Sequence, residues 1–317
     1  MFEKVNPCHP DKMADRLAGA VVDLVYERAG GLTKANPRVA CEVMAGHGRV
    51  DVQIETSLGR MDLRAEDIDP LIRRLFGERV VGNVLIAPQD AHLSENQTRG
   101  LRCGDNGIFR GCPPTEEQRV LTAIAATIYG SIPYDGKYII SNWEHMTHPA
   151  VIGDLRADIT ICQSHAEFAD IANILDAFEQ DLSVKRGEYV SFMPTINPLG
   201  PWTGGIDVDC GCTNRKLGSD MGDGVTGGGL MGKDLSKADV SVNIVCYLKA
   251  VASGQTVTAC CSIGDEQVTF VYADGRRETE TFADIVEMAR LYILTDCGGS
   301  FERFAEWGVI RPRIYKD

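Results

Sequence analysis

Apolar positions recur at helical spacing over residues 10–28, where Met13, Leu17, Val21, Leu24 and Val25 form one stripe. Pro10 and Asp11 suit its first turn, and Gly30-Gly31 its end. Residues 38–44 and 49–56 are β-rich and flank Ala45-Gly46-His47-Gly48, which predicts a hairpin. Ile68, Leu71, Ile72, Leu75 and Phe76 predict an amphipathic helix over 65–76, and a strand is expected over 80–87. Residues 90–102 are polar and aperiodic and read as a long loop, either functional or disordered. Thr115 is placed to cap a helix over 115–129, with Glu116 and Glu117 in its first turn. Strands are expected over 137–141, 158–162 and 189–193, with a helix over 166–182. Further on, 236–251 reads as a helix, 256–263 and 267–273 as a hairpin, and 282–293 and 300–307 as helices.

Strands in pairs between helices predict a mixed α/β fold rather than a regular βαβ array. The chain has 317 residues, 44% apolar and 24% charged, so a folded body is expected and disorder is excluded. Its 32 basic and 45 acidic residues leave a net charge of −13, which argues against nucleic acid. A polyanion would need a locally basic pocket against that background. Residues 1–11 lack an apolar leader core, and no apolar run is long enough to span a membrane. There are 11 cysteines, an odd number, with no C-x-x-C; the expectation is reduced thiols in a cytoplasmic protein.

Several segments carry candidate chemistry. His9-Pro10-Asp11-Lys12 opens a helix, where backbone N–H groups favour anions and an Asp can hold Mg²⁺; the same residues also suit a plain helix start. Residues 197–232 hold eleven glycines, which suggests backbone folded close around a ligand. Arg215-Lys216 lies within this stretch, and Gly227-Gly228-Gly229-Leu230-Met231-Gly232-Lys233 ends it, followed by Lys237 and Asp239. Lys233 and Lys237 would share a face if the next helix began near Gly232. The spacing is neither a Walker A loop nor a GxGxxG fingerprint. Glu42 and Glu55 fall in strands, either facing out or paired with a cation. Gly104-Asp105-Asn106-Gly107 and Asp135-Gly136-Lys137 read as turns on their own.

Taken in order, these segments resemble the methionine adenosyltransferase (S-adenosylmethionine synthetase) family. The family's G-H-P-D-K is matched by Cys8-His9-Pro10-Asp11-Lys12, and its R-V-A-C-E by Arg38-Val39-Ala40-Cys41-Glu42. Its G-D-Q-G is similar to Gly104-Asp105-Asn106-Gly107, its D-A-K to Asp135-Gly136-Lys137, and its G-R-K to Asn214-Arg215-Lys216 with Asp209 upstream. Its glycine-rich lysine motif is similar to Gly227 through Asp239, one residue shorter. The departures are Pro7 and Cys8 at the helix start, Leu230-Met231 in the loop, and Val240 where the family has Arg.

The resemblance implies three similar α/β units about a pseudo-threefold, here divided near 1–100, 101–200 and 201–317, with sheets packing at a dimer interface. It implies synthesis of S-adenosylmethionine from ATP and L-methionine, releasing phosphate and pyrophosphate via triphosphate. A methionine analogue as acceptor, or a non-catalytic nucleotide-binding homologue, are the alternatives. His9, Lys137, Arg215, Lys216 and Lys233 would surround the leaving group, and Asp135, Trp202, Asp209 and Gly229 would complete the ATP site. Glu55, Gln89, Asp105, Asp209 and Lys237 would contact methionine. Asp11 and Asp239 would hold Mg²⁺, a pair of ions per site, and Glu42 would hold K⁺. The implied assembly is a homodimer or dimer of dimers with active sites between subunits.

Overall fold

The computed structural model describes residues 1–59, 61–90, 100–148 and 151–312. Most of the 90–102 loop, which the resemblance implies is a lid, lies outside the described residues, at 91–99. The first run of elements is β1 (Phe2–Val5), α1 (Pro10–Arg28), β2 (Val39–Gly46), β3 (Arg49–Thr56), α2 (Ala65–Phe76) and β4 (Val81–Pro88). The second run repeats that order with β5 (Gly107–Gly111), α3 (Glu116–Ser131), β6 (Gly136–His148), β7 (Val151–Gln163), α4 (Phe168–Arg186) and β8 (Val190–Ile196). The third opens on β9 (Cys210–Cys212) and a short α5 (Leu217–Met221). It continues with α6 (Ala238–Ser253), β10 (Val257–Cys261), β11 (Gln267–Tyr272), β12 (Arg277–Thr281) and α7 (Phe282–Asp296), and α8 (Phe301–Trp307) closes the chain's helices.

Three four-stranded sheets result, in the orders β4-β3-β2-β9, β1-β6-β7-β8 and β12-β11-β10-β5. The strand that opens each run leaves its own run: β1 joins the second sheet, β5 the third and β9 the first. This cyclic exchange is the pseudo-threefold in topological form, three similar α/β units each completed by a strand from the one before it. In the first two runs the closing strand lies parallel to its neighbour, which requires a crossover, and α2 and α4 supply it.

Each sheet buries one face. Val39, Cys41, Val43 and Ala45 on β2 are buried while Glu42 and Met44 between them are exposed, the two-residue period of a half-covered strand. Helix α1 is the most enclosed helix, burying Ala14, Leu17, Ala18, Val21, Val22 and Val25 against β2 and α8. The outer faces keep Met44, Leu85, Ile108 and Met193 in solvent. Lys4 on β1 is fully buried; its ammonium donates to the carbonyls of Ser219, Trp307 and Ile310 at 2.7, 2.9 and 2.8 Å, tying β1 to α5 and to the chain beyond α8.

Helices α1 and α2 keep the bounds read from the sequence, and Thr115 caps α3 as expected. Strands β6 and β7 run well beyond the expected five residues each. Strands β1, β5, β9 and β12 were not anticipated, being short and paired at or near sheet edges. Helix α6 begins at Ala238 with Lys237 as its cap. Lys233 is instead in extended chain bridging Ala40, so the two lysines do not share a helical face.

Candidate active site

The start of α1 organises one group of the predicted residues. His9 caps the helix in an extended conformation, and its Nδ1 accepts the Asp11 N–H at 3.2 Å. The ring proton of the neutral imidazole therefore sits on Nε2. Burial, helped by the charges of Lys216 and Lys137 and opposed by Asp11, pushes the His9 ring down to about 4. Asp11 Oδ1 accepts the Cys212 N–H at 2.9 Å and faces Arg215 Nη1 at 3.3 Å, and Oδ2 faces Lys216 Nζ at 3.1 Å. Burial alone would raise this carboxyl; the Cys212 N–H and Lys216 more than offset it, and it titrates low. Gly211 makes the contact between β9 and α1 possible, since a Cβ there would stand 2.0 Å from the Pro10 carbonyl oxygen.

Asp135 sits in the turn entering β6. One of its oxygens accepts the Gly205 N–H at 2.8 Å, while Oδ1 is buried without a hydrogen-bond partner. Burial, with Asp209 and Asp11 nearby, pushes this carboxyl up to about 6. Trp202 and Asp135 flank Gly204, where a Cβ would stand 2.9 and 3.0 Å from them. Trp202 also lines a cavity of about 370 Å³ with Cys162, Asn197, Pro198 and Leu199. Lys137 on β6 is held 2.8 Å from Glu3, and Asp209 is exposed, its Oδ1 accepting the Cys210 N–H at 2.7 Å. A second cavity of about 260 Å³ opens beside Arg215 and Lys216, lined also by Glu3 and Ser219. This group thus brings together His9, Asp11, Asp135, Lys137, Trp202, Asp209, Arg215 and Lys216.

The other group gathers at the start of α6. Lys233 Nζ is 2.6 Å from Asp239 Oδ2, and Lys237 is 3.8 Å from Asp105. Asp105 Oδ2 is buried without a hydrogen-bond partner, and burial raises this carboxyl despite Lys237. Gly228, at φ +84°, lies so close to Asp239 that a Cβ would meet its Oδ1 at 2.1 Å, and Gly229 presses equally on Asn214. Ala40 pairs with Glu55 on one side and bridges Lys233 on the other, which puts these two residues in one row. Gln89 donates its N–H to Thr56 at 2.9 Å at the end of the same sheet, and its Oε1 is buried without a partner. Glu42 is exposed and accepts the Thr213 hydroxyl.

Asn214 links the groups: its Oδ1 accepts the Met231 N–H at 2.8 Å, one residue before Arg215 in the chain. In the sequence this asparagine stands out only as the residue before Arg215-Lys216, and Asp15 and Asp220 behind it are not singled out. The D-K-x-x-D spacing of Asp11 and Asp15, four apart on one helix face, was the available signal. Among the described residues, no three His, Cys, Asp or Glu side chains are placed to hold a metal by themselves, and the 11 cysteines are free thiols. No helix among the described residues is long and apolar enough to cross a membrane.

A three-unit α/β body with cations around a helix start, beside a tryptophan-lined cavity, has the make-up of a protein that binds a small anionic ligand. No protein-family model matches the chain. An S-adenosylmethionine synthase of Bradyrhizobium diazoefficiens is 26% identical over 327 residues, covering 86% of this chain and 80% of its own. One of Rhodopseudomonas palustris is 26% identical, covering 90% of this chain and 83% of its own. A solved structure of an unusual S-adenosylmethionine synthetase from Campylobacter jejuni shares the fold, with a TM-score of 0.66, 18% identity, and coverage of 97% of this chain and 93% of that one. Over most of its length the chain is similar to S-adenosylmethionine synthases, and it shares the fold of a solved one.

Proposed function

We propose that this protein makes S-adenosylmethionine from ATP and L-methionine: the thioether sulfur attacks C5′, the C5′–O bond breaks, and triphosphate leaves to be hydrolysed to phosphate and pyrophosphate. The observation that carries this reading is the convergence of His9, Arg215, Lys216 and Asp11 at the start of α1 in a chain related to synthases of that name. Sulfur is nucleophilic without a base, so the protein's task is to stabilise charge growing on the leaving group. Neutral His9 offers its Nε2–H, while Lys137, Arg215 and Lys216, joined by Lys233, offer charge. Trp202 offers a flat apolar face for adenine beside Asp135 and Gly204.

The donor set fits Mg²⁺ shared with a polyphosphate rather than caged by protein. Asp11 and Asp239 each present a hard carboxylate oxygen beside cations, and both occupy the second position of a helix, α1 and α6 respectively. Mg²⁺ bound there would neutralise the phosphates. Asp11, Asp135 and Asp209 stand among the cations of the first group, and they would repel a bare polyphosphate. The unpartnered buried oxygens of Asp105 and Gln89 suit the ammonium of methionine, with Glu55 and Asp209 adding charge and Lys237 facing its carboxylate. Glu42, exposed beside Thr213, is assigned to K⁺.

The two groups are read as halves of sites completed by a second copy of the chain, through the outer sheet faces that carry Met44, Leu85 and Ile108. The test is direct. The purified protein with ATP, methionine and Mg²⁺ is expected to yield S-adenosylmethionine, phosphate and pyrophosphate in equal amounts. Asp11→Asn is expected to lower the rate by about 10²–10³. No sulfonium product from the wild type overturns the reading.

A further inference from the structure

A buried ionic tie runs beneath the first group. Lys12 Nζ lies 2.7 Å from Asp220 Oδ1 and 3.0 Å from Asp15 Oδ2, and none of the three side chains has exposed surface. The other oxygen of Asp15 accepts the N–H of Asn214 at 2.8 Å. One turn earlier on α1, Asp11 accepts the N–H of Cys212 at 2.9 Å. Residues four apart on a helix stand about 6 Å apart on one face. Alternate N–H groups of an extended chain point the same way at about 6.6 Å. The two carboxylates of α1 therefore match two alternate N–H groups of the chain that leads into Arg215 and Lys216.

Asn214 is held on three sides. Its backbone is left-handed at φ +61°, its N–H goes to Asp15, and its amide exchanges bonds with both backbone groups of Met231, at 2.8 and 3.2 Å. On the far side of the cations, the Asp220 N–H closes a turn onto the Lys216 carbonyl at 3.0 Å, and Lys12 grips the Asp220 carboxylate. Arg215 and Lys216 are thus suspended between two anchors, Asn214 and Asp220, both fastened to α1. Burial and the neighbouring Asp220, opposed by Lys12, push the Asp15 carboxyl up to about 6, so its ionised form is kept at a cost. Buried ion pairs are poor stabilisers compared with apolar packing, and a geometric role accounts better for this one.

We propose that Asp15 is a positioning residue of the phosphate-binding group: by fixing the Asn214 N–H it sets Arg215 and Lys216 against Asp11, and through Met231 aligns the loop that carries Lys233. The inference rests on the proposed function for the nature of the ligand. Its probe is tripolyphosphate with Mg²⁺, measured by calorimetry alongside thermal melting and ATP kinetics. Asp15→Ala removes both the ion pair to Lys12 and the acceptor for Asn214. Asp15→Asn removes the charge but keeps an acceptor oxygen.

Both variants are expected to melt lower. Asp15→Ala is expected to weaken tripolyphosphate binding and raise KM for ATP by about 10²-fold, the scale of a small misplacement, with KM for methionine little changed. Asp15→Asn is expected to retain most of that binding despite a similar loss of stability. Equal binding losses in the two variants that follow their melting temperatures, or unchanged binding in Asp15→Ala, overturn the proposal. Should Asp15→Ala not fold, Asp15→Ser, whose hydroxyl is too short to reach Asn214, takes its place with the same expected outcomes. Wild type that binds tripolyphosphate but forms no sulfonium product overturns the activity and leaves this test standing. Wild type that fails to bind it overturns both.

Discussion

Asp135 holds a carboxylate oxygen in the interior with no hydrogen-bond partner, an arrangement that costs stability and suits a ligand. Its carboxyl is raised from 3.8 to about 6, chiefly by burial. Below about pH 4 it is protonated both folded and unfolded. Between there and pH 6 only the unfolded chain ionises, so stability falls as pH rises through this window. Asp135→Asn mimics the protonated form. It is expected to be more stable than wild type by up to about 3 kcal/mol at pH 8, with the gain fading towards pH 4. Thermal melts across this range check it; a gain independent of pH would show that the carboxyl carries no such penalty. In the sequence Asp135-Gly136-Lys137 is a plain turn on its own, and only its resemblance to the family's D-A-K singles it out. That Asp135 is buried against Gly205 and Trp202 was not legible, because those partners arrive some 70 residues later in the chain.

At the scale of elements, the site depends on the smallest strand of the first sheet. Strand β9 is only Cys210–Cys212, too short to show any alternation, and it pairs with β2 while lying across the start of α1. Gly211 allows this approach. Gly211→Ala places a methyl group 2.0 Å from the Pro10 carbonyl oxygen and must push β9 off the helix. The expected cost is about 1–3 kcal/mol in urea unfolding, together with weaker tripolyphosphate binding as the Cys212 N–H leaves Asp11. Normal binding in a destabilised Gly211→Ala would separate the strand from the site. Long amphipathic helices were readable to within a few residues, α1 and α2 at both ends, because their periodicity repeats over several turns. The short strands β1, β5 and β9 were not, since pairing with a distant partner, rather than local pattern, makes them strands.

In the whole molecule, strand exchange welds three α/β units into one body and puts the helix starts of α1 and α6 in corresponding places. The two groups of candidate residues are built there. If each needs the other group from a second copy, light scattering should show at least a dimer. Asp11→Asn and Lys233→Ala, each inactive alone, should then regain about one quarter of wild-type turnover when mixed and reassembled, because half the dimers would be mixed and each would hold one intact site of two. An active monomer, or no recovery from verified mixed dimers, overturns the shared site.

The chain by itself specified its helices, its hairpins, and the residue types that bind an anion, because these are set by spacing along a few turns and by side-chain chemistry. Tertiary structure alone decided which strands pair, that Lys233 lies in extended chain instead of on a helix with Lys237, and that Asp15, Lys12 and Asp220 meet without solvent. Those outcomes depend on contacts between segments far apart in the chain, such as the bond from Asn214 to Asp15, 199 residues apart, and that from Lys12 to Asp220, 208 apart. No local pattern encodes such a contact; only the packed fold brings its partners together.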